Sequence, residues 1–153
     1  MVVPRDTTTG SDFEDIVEKA VVRFGKKNNF TGNPQQKVGE KPGGGNHVVD
    51  WELVDNDDEN VRGLVSCKYQ GTSGTAEEKI GYEVIKLLHT MSIDPRYKHG
   101  WIAMGGSGWS PGMRRFVQEE LPKWIPEMKD KITIVDSTDW ILTNGFSLNP
   151  YRN

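Results

Sequence analysis

The stretch from Asn46 to Gln70 constrains this chain more than any other. It runs Asn46-His47-Val48-Val49-Asp50-Trp51-Glu52-Leu53-Val54, then a polar interval from Asp55 to Asn60, then Arg62-Gly63-Leu64-Val65-Ser66-Cys67-Lys68-Tyr69-Gln70. Short runs of β-branched and other apolar residues on either side of a polar turn read as two strands of a hairpin. Side chains on a strand alternate faces, so Asp50 and Glu52 are expected on one face, and Ser66, Lys68 and Gln70 on one face of the next strand. That sets two carboxylates beside an ammonium. On a solvated face such a pair is ordinary and contributes little. Lys68, however, lies in a run that is otherwise apolar or small, and a charge in a core strand usually has a task.

An acid on one hairpin strand and a lysine on its neighbour suit metal-assisted phosphodiester cleavage. The carboxylate holds a hard divalent ion, and the lysine orients or activates the attacking water. The stretch resembles the PD-(D/E)XK nuclease superfamily, which includes restriction enzymes, junction resolvases and some homing endonucleases. Asp50 matches its first acid and Lys68 its lysine, while Ser66 stands where the second acid is expected. The likeness continues through Lys68-Tyr69-Gln70, the Gly74-to-Lys79 helix start and Gly105-Gly106-Ser107-Gly108-Trp109, covering the chain from Glu14 to Val135. Some restriction enzymes of that superfamily carry a Ser-X-Lys triplet and take the missing acid from the following helix. Ser66-Cys67-Lys68 resembles that variant, with Glu77 favoured by its helix face and Glu83 by its greater distance beyond the lysine.

The resemblance implies a site in which Asp50 binds metal, assisted by the Cys67 main-chain carbonyl and by Glu14, Glu52 or a glutamate of the Glu77-to-Glu83 helix. Lys68 then positions the water, and Gln70 holds water or the scissile phosphate. The implied cofactor is Mg²⁺, with Mn²⁺ as the alternative, and the implied partner is DNA, cut by a homodimer because one site cuts one strand. Ser66 also supports a second reading, a nuclease-like module that has lost cleavage, by natural decay or by substitution of a glutamate, and binds DNA or protein. A third reading is an α/β binding protein unrelated to nucleic acid.

Composition bears on these choices. The 153 residues are the length of one domain, and 35% hydrophobic with 27% charged residues describes a globular chain rather than a disordered one. One cysteine, Cys67, excludes an internal disulfide and fits a reducing compartment. No apolar run approaches the roughly 18 residues a membrane span needs, and Met1 to Asp6 lacks a signal peptide's apolar stretch, so a cytoplasmic protein is expected. The net charge of −3 weighs against nucleic acid. Yet Asp55 to Glu59 concentrate acids in one turn, while Lys26, Lys27, Lys37, Lys41, Arg114 and Arg115 lie near expected loops and helix ends.

Along the rest of the chain, residues 1–10 read as a flexible tail. Ser11 is expected to cap a helix with Glu14 at the capping-box distance and Phe13, Ile16, Val17, Ala20, Val21 and Phe24 as its apolar face, with Gly25 beginning the exit. Glu14 serves equally well as that cap or as an acid of the site. A short strand is expected over Gln35 to Val38, then a glycine-rich connection from Lys41 to Asn46, after which His47 is an edge residue or a phosphate contact. Thr75 with Glu78 reads as the cap of a second helix bearing the stripe Ile80, Val84, Leu87, Leu88 and Met91. His99 to Met104 reads as a buried strand. The Gly105-to-Gly108 turn lacks the lysine of a P-loop. A helix from Pro111 to Trp124 has Met113, Phe116, Val117, Leu121 and Trp124 as apolar positions, leaving Arg114 and Arg115 to solvent or DNA; Lys131 to Val135 is a strand and Ser137 starts a short helix through Leu142.

The expected fold is α/β: a single domain over residues 11–144, a mixed central sheet of four to five strands flanked by helices with a restriction-endonuclease-like core, followed by a C-terminal arm over 145–153.

Overall fold

The computed structural model describes residues 10–71 and 79–152. Its five strands lie in chain order, β1 (Phe30–Glu40), β2 (Asn46–Asp55), β3 (Arg62–Tyr69), β4 (Tyr97–Gly105) and β5 (Ile132–Val135). The first three pair antiparallel, and β3·β4 and β4·β5 are parallel, so the sheet is mixed. The antiparallel half needs only turns. The parallel half needs crossovers, which helices supply.

Helix α1 (Gly10–Asn28) packs one face of the sheet with Phe13, Val17, Ala20, Val21 and Phe24, the apolar side of its 3.6-residue period. The helix begins at Gly10, so Ser11 lies inside it rather than capping it, and it runs past Gly25 to Asn28. Helix α2 (Ile80–Ile93) covers the opposite face with Ile80, Val84, Leu87 and Met91. The expected Thr75 cap falls outside the described residues.

The helical stretch after β4 shares the α2 face. It consists of α3 (Pro111–Arg115), a π-turn over Phe116–Glu120 and α4 (Leu121–Trp124), and Ser110 caps it by accepting from the Met113 N–H. Val117 and Leu121 are buried there, whereas Trp124 is 78% exposed and is not a core residue. The Arg114 guanidinium donates to the Asp136 and Gly106 carbonyls and so ties this helix to the sheet end, leaving only Arg115 facing solvent.

Ser137 caps α5 (Thr138–Asn144) by accepting from the Trp140 N–H. The residues beyond it, expected as an arm, pack inward: Phe146 and Leu148 are buried beside α1, and Arg152 pairs with the buried Asp55 at 2.6 Å.

β1 is longer than the hydrophobic pattern suggests, and both β1 and β2 change face midway. Val49 belongs to the α2 layer and Trp51 and Leu53 to the α1 layer, although an unbroken strand keeps residues two apart on one side. Likewise Phe30 lies in the α1 layer and Val38 in the α2 layer. The switch falls at Gln35, whose φ of 50° is left-handed, and at Asp50 across the ladder from it. The distal half of the hairpin therefore folds over α2.

Candidate active site

The β2·β3 ladder runs from Val54↔Arg62 to Trp51↔Val65 and stops there. Asp50, the next residue, sits where the two strands part. Its Oδ2 accepts the Cys67 N–H at 2.7 Å in place of a ladder bond, and its Oδ1 takes a weaker 3.3 Å contact from Gln35. A strand residue's N–H and C=O leave the same edge, so the Cys67 carbonyl also opens toward the gap that Asp50 fills. Asp50 lines a cavity of about 240 Å³ together with Gln35, Cys67 and the α1 acids Glu14, Asp15 and Glu18. Among the described residues these three α1 acids have no ion-pair partner. Burial, reinforced by the Asp50 and Glu14 carboxylates, pushes the Cys67 thiol up, so it stays protonated and offers the gap its backbone rather than a thiolate.

β3 alternates regularly, and this brings Ser66 and Lys68 together on the α2 face. There they meet Glu83, a buried residue 3% exposed. Ser66 Oγ donates to Glu83 Oε1 at 2.6 Å, and Lys68 Nζ lies 3.3 Å and Lys86 Nζ 2.8 Å from Oε2. Burial alone would raise the Glu83 carboxyl, but the hydrogen bonds from Lys86 and Ser66 and the charges of Lys68 and Lys86 outweigh it and hold it below its ordinary value. Glu83 is thus ionised and close-held, its charge shared between two ammoniums.

Three sequence expectations are changed by this geometry. Glu52 does not join Asp50, because the strand changes face between them; it accepts from the Tyr97 hydroxyl at 2.5 Å and pairs with Arg62 at 3.4 Å. Gln70 turns into the protein. Its Nε2 donates to the Gly108 carbonyl, its own carbonyl accepts the Gly108 N–H, and Gly106, at a φ of 91°, has space for no Cβ because one would lie 2.4 Å from that carbonyl. Gln70 therefore braces the turn after β4 through its amide nitrogen and main-chain carbonyl. Glu14 is on the exposed side of α1 and faces the Asp50 cavity, without serving a capping box. Glu77 lies outside the described residues.

Lys86 was not legible as a site residue from sequence. The signal that could have found this cluster is in α2 itself: Glu83 and Thr90 occupy the Ile80-Glu83-Leu87-Thr90 stripe, and charge on a core stripe is rare without a partner.

Among the described residues no three His, Cys, Asp or Glu side chains come together as a metal cage. The Asp50 cavity nevertheless offers carboxylate and carbonyl oxygens, hard donors of the kind Mg²⁺ takes, and that ion is usually held by one or two carboxylates with waters and substrate oxygens completing the shell. The donor set fits such an ion.

A mixed five-stranded sheet between helical layers, with an acid and a lysine where two antiparallel strands part, is a restriction-endonuclease-like α/β fold. A family model described as the PD-(D/E)XK nuclease superfamily domain matches residues 9–142. The chain belongs to that superfamily. Membership implies a nuclease with nucleic acid as its substrate, and nucleases of the superfamily generally use divalent metals. No curated protein matches the chain. Among the described residues no helix is long and apolar enough to cross a membrane.

Proposed function

We propose that the protein is a metal-dependent DNA endonuclease of the Ser-X-Lys type, in which Glu83 of α2 takes the part of the strand acid that Ser66 replaces. The observation that carries this reading is the contact of Ser66 and Lys68 with the single buried carboxylate of Glu83. Asp50 and the Cys67 carbonyl would hold the cation, with Glu14 as a further acid on the Asp50 side and Glu83 entering from the α2 side beside Lys68. Bound there, Mg²⁺, or Mn²⁺ in its place, supplies Lewis-acid stabilisation of the phosphoryl oxygens and a lower pKa for the attacking water.

The chain's own groups divide the remaining work. Lys68, fixed by Glu83 yet a quarter exposed, presents an ammonium that orients the water or offsets charge developing on the phosphate. Asp50 is fixed by the Cys67 N–H, so its second oxygen keeps its direction without reorganisation. Ser66 fills the place of an acid with a hydroxyl that donates, and this aims Glu83 rather than competing with it. Cleavage of both strands of a duplex would take two copies of the chain.

The reading is tested by nicking of supercoiled DNA over a Mg²⁺ titration, with Asp50→Asn and Lys68→Ala alongside the parent. Both variants should lose cleavage while keeping the parent's circular dichroism spectrum. Cleavage at the parent rate by either folded variant would refute the assignment.

The specific observation favouring the second reading, a module that binds without cutting, is that two lysines already compensate Glu83. A parent that binds DNA and never nicks it at any Mg²⁺ or Mn²⁺ concentration would support that alternative.

A further inference from the structure

Basic side chains continue outward from Lys68 along a connected path. Lys68 shares the Glu83 carboxylate with Lys86, whose ammonium also lies over the Tyr82 ring, 5.5 Å from its centroid. Three residues further along α2, about 4.5 Å of helix axis, His89 Nδ1 lies 3.2 Å from the Glu40 carbonyl at the end of β1. Lys41 follows Glu40 and opens the hairpin turn, its backbone N–H bonded to the Gly45 carbonyl and its side chain lying over Gly45. The face change at Gln35 and Asp50 produces this alignment, because it bends the hairpin across α2.

Three features of the path suit a polyanion. Glu83, the acid within it, is buried and outnumbered by its two lysines; the exposed Glu40 is the other acid beside it. The turn consists of Gly43, Gly44 and Gly45, all at positive φ, and a Cβ on Gly43 or Gly44 would meet nothing within 4 Å, so a sugar-phosphate chain can approach the backbone there. The acids of the 55–60 turn lie away from the path, at the other end of β2, where Glu52, Asp55, Asp57 and Glu59 line a separate open cavity, while Glu14, Asp15 and Glu18 line the Asp50 cavity on the α1 face. The net charge of −3 thus coexists with a local run of basic side chains along α2 and the hairpin turn.

We propose that Lys68, Lys86, His89 and Lys41 form a track for the phosphodiester backbone of one DNA strand as it leaves the site, with the glycine turn as its far end. The proposal rests on the nuclease reading for the identity of the polyanion. Lys37 is the internal control: it is exposed on the same hairpin, but its neighbour Val38 packs toward α2, so Lys37 points off the track.

Binding of a short labelled DNA duplex, followed by anisotropy in EDTA over a KCl series, separates the track from catalysis. The slope of log affinity against log salt should be clearly negative for the parent, shallower by about one in Lys41→Gln and by about two in Lys41→Gln/Lys86→Gln, and unchanged in Lys37→Gln. Equal slopes for the parent and Lys41→Gln, or an equal loss in Lys37→Gln, would overturn the track. So would a parent that does not bind at low salt. In each case Mg²⁺-dependent nicking by the same parent preparation reports separately whether the nuclease reading survives.

Discussion

The two ends of β2 handle buried charge in opposite ways. At the Asp55 end the buried polar groups are satisfied within the fold: Asp55 pairs with Arg152 and accepts the Asp57 and Asp58 N–H groups, Glu52 takes Tyr97 and Arg62, and His99 lies between the Thr133 and Tyr151 hydroxyls, both at 2.7 Å. At the Asp50 end the strands part, one carboxylate serves Ser66, Lys68 and Lys86, and acids of α1 line an open cavity without ion partners among the described residues. The two buried side-chain atoms that lack a hydrogen-bond partner among the described residues, His47 Nε2 and Gln70 Oε1, also lie toward this end. Polar groups fully satisfied by the chain itself hold a fold together. Groups left open are what a reacting ligand can use.

The largest effects should fall on chemistry at the open end. Asp50→Asn and Glu83→Gln should each lower Mg²⁺-dependent nicking by about a thousandfold or more, the weight of several kcal/mol of lost charge stabilisation. Asp50→Asn should leave the thermal midpoint within a few degrees of the parent. If Asp50→Asn instead unfolds the protein, the open end is structural and the contrast fails.

The closed end should respond in stability and not in chemistry. Asp55→Ala strands Arg152 and opens the 55–60 turn, at a cost of about 3 kcal/mol, which lowers the thermal midpoint by roughly 6–12 °C for a chain of this size. The folded fraction should still cut at the parent rate. A loss of cutting that exceeds the loss of folded protein would show that the two ends are coupled.

Much of this division is legible in the sequence. Apolar periodicity gives α1, α2 and the buried β4, and the short apolar runs give β2 and β3, because burial alone dictates those patterns. The face change is not legible, since it depends on Gln35 adopting a left-handed φ that its residue type does not favour. Without it, Asp50 and Glu52 look like a pair. The packing of Phe146, Leu148 and Arg152 is equally hidden, because five or six residues near a chain end carry too little periodicity to signal burial. Ser66 and Lys68 could be singled out from the strand alone, but the choice of Glu83 needed the tilt of α2 across the sheet.

Acid should act on the closed end through His99. Burial holds its folded-state pKa at about 4, against 6.5 for an ordinary imidazole. Between those values the unfolded chain binds a proton that the folded chain refuses, so stability is full above about 6.5 and declines as pH falls toward 4. The decline should amount to about 2–3 kcal/mol, and urea midpoints at pH 7 and pH 4.5 should show it shrinking in His99→Gln. Equal declines in the two proteins would remove His99 from the stability of that end. The smallest effect belongs to Trp124, 78% exposed, where Trp124→Lys should change stability by no more than about 0.5 kcal/mol and leave nicking unchanged.

The most direct test of the central claim moves the acid between the two elements that meet in the site. Ser66→Glu alone places a second carboxylate against buried Glu83 and should destabilise the protein without raising activity. Glu83→Ser alone should abolish nicking. Ser66→Glu/Glu83→Ser returns one acid to the cluster, now from the strand, and should recover Mg²⁺-dependent nicking of supercoiled DNA well above either single variant. Parent-rate nicking by Glu83→Ser would contradict the claim that the helix glutamate serves as the second acid of this nuclease.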